Sequence, residues 1–135
     1  MRQLQLHRCI HLNWVLGVLL VVGSFLFLSC EGNNDAERLA ALDSEISAMI
    51  ADASCNDLAD CRVIAYGAKP CGGPWTYLIY CVSAVDSTRL VSLVSMHYEL
   101  ERAINLEEGL LSDCSVPTPP HLGIVEGTCA DTLGR

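Results

Sequence analysis

"KPCGGPWTYLIYC", residues 69–81, is the stretch on which the fold turns. Pro70 pushes Lys69 toward extended geometry and Pro74 does the same to Gly73. Gly72 and Gly73 can take the positive φ that a bulky residue adopts only at a cost. From Trp75 the pattern changes to strict alternation. Trp75, Tyr77, Ile79 and Cys81 share one face, while Thr76, Leu78, Tyr80 and Val82 share the other. Both faces are largely apolar or aromatic, so a strand over 75–82 needs cover on both sides. A second strand is expected over Arg62–Tyr66, with Gly67 opening the turn between them. That connection is too short for a parallel crossover, so the two strands are antiparallel.

The flanking segments read as helices. Leu39, Leu42, Ile46, Met49, Ile50 and Ala53 recur at helical spacing after Asn34 or Asp35 as N-cap, with Arg38, Asp43, Glu45 and Asp52 on the opposite face. A second helix is expected from a cap at Asp86 or Ser87 to about Glu108, stopped by Gly109. Its inner stripe is Leu90, Leu93, Val94, His97, Leu100 and Ile104. The break Pro117-Thr118-Pro119-Pro120 precedes a terminal hairpin with Glu126-Gly127 at its turn. The order α-β-β-α-β-β implies an α+β domain, two helices packed on a small antiparallel sheet.

The first residues belong to a different kind of segment. Arg2, His7, Arg8 and His11 form a basic start, and Trp14 to Leu28 is an uncharged apolar run. Such a run suits a signal-peptide core and is short of the roughly 20 residues of a membrane span. It ends in Leu28-Ser29-Cys30, which resembles the bacterial lipobox, with Phe27 where that pattern most often has Leu. The resemblance implies removal of residues 1–29 and acylation of Cys30. Residues 30–34 then form a lipidated tether, and residues 35–135 a single domain. Lipid chains on Cys30 would anchor the protein to a bilayer without a spanning helix. Glu31 follows the cysteine, with no inner-membrane retention signal, so the expected place is the bacterial outer membrane, facing the periplasm, with the cell surface as the alternative. The alternatives are a signal peptide cut elsewhere and an uncleaved anchor helix.

Charge narrows the partners. Without residues 1–29, Arg38, Arg62, Lys69, Arg89, Arg102 and Arg135 face sixteen acidic residues, a net of −10. Such a surface repels phosphate backbones and excludes nucleic acid. Six cysteines remain in the domain: Cys55, Cys61, Cys71, Cys81, Cys114 and Cys129. An even number in a small exported chain reads as a disulfide framework with fifteen connectivities. Cys55 and Cys61, with turn formers between them, are the pair expected first. No C-x-x-C occurs and the mature histidines, His97 and His121, lie far from any cysteine pair in sequence, so no metal and no cofactor is expected.

Catalytic sets are weak. Cys71 with a histidine base would need a free thiol. Gly72-Gly73 beside Lys69 could form an anion-binding nest, but no phosphate-loop spacing accompanies it. His97 is expected to be buried and hydrogen-bonded, or paired with Glu101 four residues on. His121, after three prolines, is expected to be exposed. No catalytic residue is assigned, and the residues offered for binding are those of the corner: Lys69, Gly72, Gly73, Pro74 and Trp75.

Taken together, the Cys-x₅-Cys pair, "YGAKPCGGPWTYLIY", "YELE", "GLLSDCSVPTPP" and "EGTC" resemble a group of small cysteine-rich bacterial lipoproteins and exported proteins without an assigned activity. The likeness spans residues 55–129, and "KPCGGPWTYLIY" is its most specific part. Cys81 stands where that group often has serine, and Ile124 where it has a further cysteine. The resemblance thus implies one bridge lost or rerouted, with Cys81 taking over an orphaned partner. The function expected is a membrane-tethered, non-enzymatic module that binds an envelope protein or ligand. The alternatives are a protease inhibitor using the Cys71–Pro74 corner and an envelope enzyme or thiol-redox protein.

Overall fold

The structure, a computed structural model, describes residues 34–133. The expected signal segment, Cys30 and nearly all of the expected tether lie outside the described residues. Helix α1 spans Asp35–Ile50 and begins with Asp35 and Glu37 in its first turn, where carboxylates face the positive end of the helix. Helix α2 spans Ser87–Glu108. Asp86 caps it by accepting from the Arg89 backbone N–H at 3.1 Å, and Gly109 ends it at φ 62°. Among the described residues, no helix is long and apolar enough to cross a membrane.

Strands β1 (Cys61–Tyr66) and β2 (Thr76–Cys81) pair antiparallel, with Cys61 opposite Cys81 and Tyr66 opposite Thr76. Strands β3 (Leu122–Val125) and β4 (Thr128–Asp131) form a separate ribbon around Glu126 and Gly127, both at positive φ. The expected α+β order is present, and its four strands are divided into these two ribbons. Ser54 bridges Thr128, and the Cys55 N–H donates to the Gly127 carbonyl at 2.6 Å, which fastens the second ribbon to the end of α1.

The apolar faces of β2 now have their covers. Leu78, Tyr80 and Val82, with Ile64 and Tyr66 of β1, pack against Ile46 of α1 and Leu90, Leu93 and Val94 of α2. The opposite face carries Cys61 and Cys81, which cluster with Cys55, Leu122 and Cys129. One face of the first ribbon therefore meets the helix pair, and the other meets the terminal ribbon.

The disulfides are Cys55–Cys81, Cys61–Cys129 and Cys71–Cys114, each with Cα atoms 5.7 Å apart. The expected Cys55–Cys61 bridge is not made, although the two sulfurs lie 3.9 Å apart. The reason is tertiary. A 3₁₀ turn at Leu58–Asp60, capped by Asp57, returns the chain so that Cys61 opens β1 directly opposite Cys81. Cys55, arriving from α1, then bonds Cys81, and Cys61 is left facing Cys129 on β4.

Loss of the Cys61–Cys129 bridge, which closes a separation of 68 residues, should be costly. A Cys61→Ser, Cys129→Ser double variant is expected to lose about 4 kcal/mol, read from urea unfolding. Leu90, with no exposed surface, should cost about 2–5 kcal/mol when replaced by Ala. A cost below about 1 kcal/mol for either would contradict the packing described.

Candidate functional site

The corner, residues 67–75, is built from backbone constraints before any side chain acts. The Lys69 carbonyl accepts from the Gly72 N–H at 2.9 Å, closing a turn with Pro70 at its second position. The Gly73 carbonyl accepts from the Lys69 N–H at 2.9 Å, and the Tyr66 carbonyl from the Trp75 N–H at 2.9 Å. Gly67 admits no side chain. At φ 79°, a Cβ there would stand 2.6 Å from Trp75 Cδ1 and 3.2 Å from Glu101 Oε2.

Helix α2 grips this corner with residues four apart. The Glu101 carboxylate accepts from the Ala68 N–H at 2.6 Å and from the Trp75 indole N–H at 2.8 Å. Asn105, one turn on and buried, donates from Nδ2 to the Ala68 carbonyl at 2.7 Å. His97, one turn back, is buried, with Nε2 3.0 Å from Asp43 Oδ1 and Nδ1 3.8 Å from Glu101 Oε2. Nδ1 has no hydrogen-bond partner. The Tyr66 ring lies 4.6 Å from the His97 ring, centroid to centroid, and its hydroxyl bonds Asp43. Burial first, and then the bond to Asp43, push the Tyr66 hydroxyl well above its ordinary pKa, so it remains a donor.

The expected His97–Glu101 pairing is thus the looser of two contacts, and Asp43 supplies the closer one. The 97, 101, 105 spacing was a readable signal for a polar stripe on α2. Asp43 carried none, since it reads as one more charge on the outer face of α1.

Lys69 is the unexpected member. Its ammonium is turned inward, donating to the Ser115 carbonyl at 2.6 Å, the Ser115 hydroxyl at 2.9 Å and Asp113 at 3.2 Å. It also lies 5.1 Å from the Trp75 ring centroid. Only 8% of the residue is exposed, so the cation required by an anion nest at Gly72-Gly73 is already paired inside. The Ser115 hydroxyl, the Ser115 N–H and then the Lys69 ammonium hold the Asp113 carboxyl below the usual carboxylate range. The Cys71–Cys114 bridge adds a covalent tie between the corner and the same segment.

Between the corner and the end of α2 lies a groove of about 290 Å³. Pro70 and Gly72 form one wall, and Tyr98, Arg102, Leu106 and Leu111 form the other. Leu106 is 71% exposed and Leu111 94% exposed. Of the residues expected to form a binding corner, Lys69 and Gly72 reach the groove. Gly73, Pro74 and Trp75 do not line it.

The sulfurs of Cys55, Cys61 and Cys129 lie within 4.8 Å of one another, at a spacing a metal could use. Each is held in a disulfide, and a metal ligand must be a thiolate. His121 is exposed and ties the terminal ribbon by donating its N–H to Asp131 at 2.9 Å. No family model matches the chain, and neither the curated proteins nor the solved structures yield a match to it.

Two measurements check this geometry. Glu101→Ala should cost about 2–4 kcal/mol by urea unfolding monitored at Trp75, because two corner donors lose their acceptor. In an NMR titration, Asp113 should protonate below the ordinary range of about 3.9. Its pKa is depressed by folding, so its contribution is full above that range and is lost as pH falls through its own lower value. Ser115→Ala should move that midpoint upward.

Proposed function

We propose that this chain is a lipoprotein of the bacterial envelope, tethered through acylated Cys30, and that its domain is a non-enzymatic binding module. The observation that carries the binding reading is the groove. Leu106 and Leu111 stand in solvent beside a backbone that is already fixed by Glu101, Asn105, Lys69 and the Cys71–Cys114 bridge. Large apolar side chains clustered around a concavity favour a protein partner. A preordered corner favours it further, because little conformational entropy is lost on binding. Among the groove's lining residues Lys69 and Arg102 are the charged ones, and Lys69 is engaged by Asp113, so an apolar segment of an envelope protein fits better than a phosphorylated ligand.

The inhibitor reading has less support. Residues 69–73 close on themselves through two backbone bonds, with Gly72 at φ 95° and Gly73 at φ 83°, whereas a protease cleft takes an extended segment. The enzyme reading also has less support: among the described residues, the polar groups gathered at His97 include no nucleophile hydrogen-bonded to the imidazole, and Cys71 is held in a disulfide.

Two experiments test the proposal. Mass spectrometry of the membrane-extracted protein should show a chain that starts at Cys30 and carries acyl chains there; an unacylated Cys30 would refute the lipid tether. A photo-crosslinker at position 111 should capture a discrete envelope protein, and Leu106→Asp should reduce that capture at least about tenfold. Unchanged capture would place the partner elsewhere.

A further inference from the structure

The three disulfides differ in their access to solvent. Cys55 and Cys81 are each 1% exposed and Cys61 is 3% exposed, with Cys129 partly covered beside them. Cys71 and Cys114 are both exposed. We propose that Cys71–Cys114 is a site of thiol–disulfide exchange, whose co-substrate is the dithiol of a redox protein.

The surroundings give the reaction a direction. Cys71 Sγ lies 2.8 Å from the Ser112 hydroxyl, which can donate to a thiolate as it forms there. Among the described residues, Cys114 Sγ has the Ser112 carbonyl as its polar neighbour, at 3.8 Å, a group that cannot donate to an anion. Cys114 is therefore the sulfur attacked and Cys71 the sulfur that leaves. The incoming thiolate bonds Cys114 Sγ, the Cys71–Cys114 bond breaks, and its electron pair departs on Cys71. The second thiol of the dithiol, as thiolate, then attacks the mixed disulfide and releases the Cys114 thiolate. Two electrons pass from the dithiol to the bridge. The two protons it gives up end on Cys71 and Cys114.

The backbone contributes as well. Cys114 sits at φ 53°, a left-handed conformation that an L side chain adopts at a cost, within a stretch, residues 110–121, that has no regular secondary structure. Opening the bridge lets that residue relax. It leaves the Lys69 ammonium, bonded to Asp113 and Ser115, as the polar tie between the corner and this stretch. Leu110 and Leu111, which line the groove, belong to the same stretch. The effect on the groove rests on the binding reading above; the exchange reaction does not.

The test uses the oxidised full-length chain and limiting dithiothreitol, quenched with N-ethylmaleimide and mapped by peptide mass spectrometry. Cys71 and Cys114 should acquire label at least about tenfold faster than the other four disulfide-bonded cysteines, Cys55, Cys61, Cys81 and Cys129. Equal rates, or earlier opening of Cys61–Cys129 or Cys55–Cys81, would overturn the proposal. With the monothiol 2-mercaptoethanol, the trapped adduct should lie on Cys114; an adduct on Cys71 would overturn the direction. Ser112→Ala should slow the opening about threefold while leaving the other bridges unaffected, and an unchanged rate would remove Ser112 from the reaction. None of these readouts requires a partner in the groove, so they stand apart from the crosslinking result.

Discussion

Cys61 and Cys81 stand directly opposite each other across the first ribbon, and neither bonds the other. That register governs the rest of the molecule. Opposed residues of an antiparallel pair leave the same face, so both sulfurs point away from the helices. Cys55 comes to this face from the end of α1, and Cys129 comes to it from the terminal ribbon. Two bridges side by side then tie the end of α1 and the terminal ribbon to the first ribbon. A shift of one residue in the register would put the two sulfurs on opposite faces, one of them toward Leu90 and Ile46, where its bridge could not form.

The corner is the polar counterpart of that apolar and sulfur-rich centre. On the helix side, Glu101 and Asn105 of α2 take up the Ala68 main-chain groups and the Trp75 indole. Glu101 is the hub, because one carboxylate receives both the Ala68 amide and the Trp75 indole while also facing His97. Half-buried between the helix and the turn, that carboxylate keeps its oxygens paired with two N–H donors. Lys69 answers from the opposite side, tying the otherwise irregular stretch after α2 to the turn. The groove lies between these two anchors, which is why its walls are preordered although its rim is open.

The sequence disclosed the elements well and the cross-links poorly, for a physical reason. Strict alternation from Trp75, the Asp86 cap, the Gly109 stop and the Glu126-Gly127 turn are local signals, and the elements form where those residues indicate. Cover on both faces of β2 was also legible, since neither face was polar. Disulfide partners are decided by which strand meets which, and short spacing misleads: Cys55 and Cys61 are close both in the chain and in space, and still bond elsewhere. The inward turn of Lys69 had no local mark either. Its partners, Asp113 and Ser115, lie more than forty positions away and belong to a stretch with no periodicity to interpret.

The pairing also bears on how the protein is made. Of the domain's cysteines, Cys55 emerges first and Cys61 second, followed by Cys71 and Cys81. Joined in order of appearance, these would give Cys55–Cys61 and Cys71–Cys81, and not one native bridge. Cys55–Cys81 instead interleaves with both other bridges, and Cys61 must wait for Cys129, the last of the six. Maturation must therefore either delay oxidation until the strands have met or correct an early bond afterwards. The 3.9 Å between Cys55 and Cys61 bears on the second route, because it places the premature pair and the native pairs within one sulfur exchange of each other.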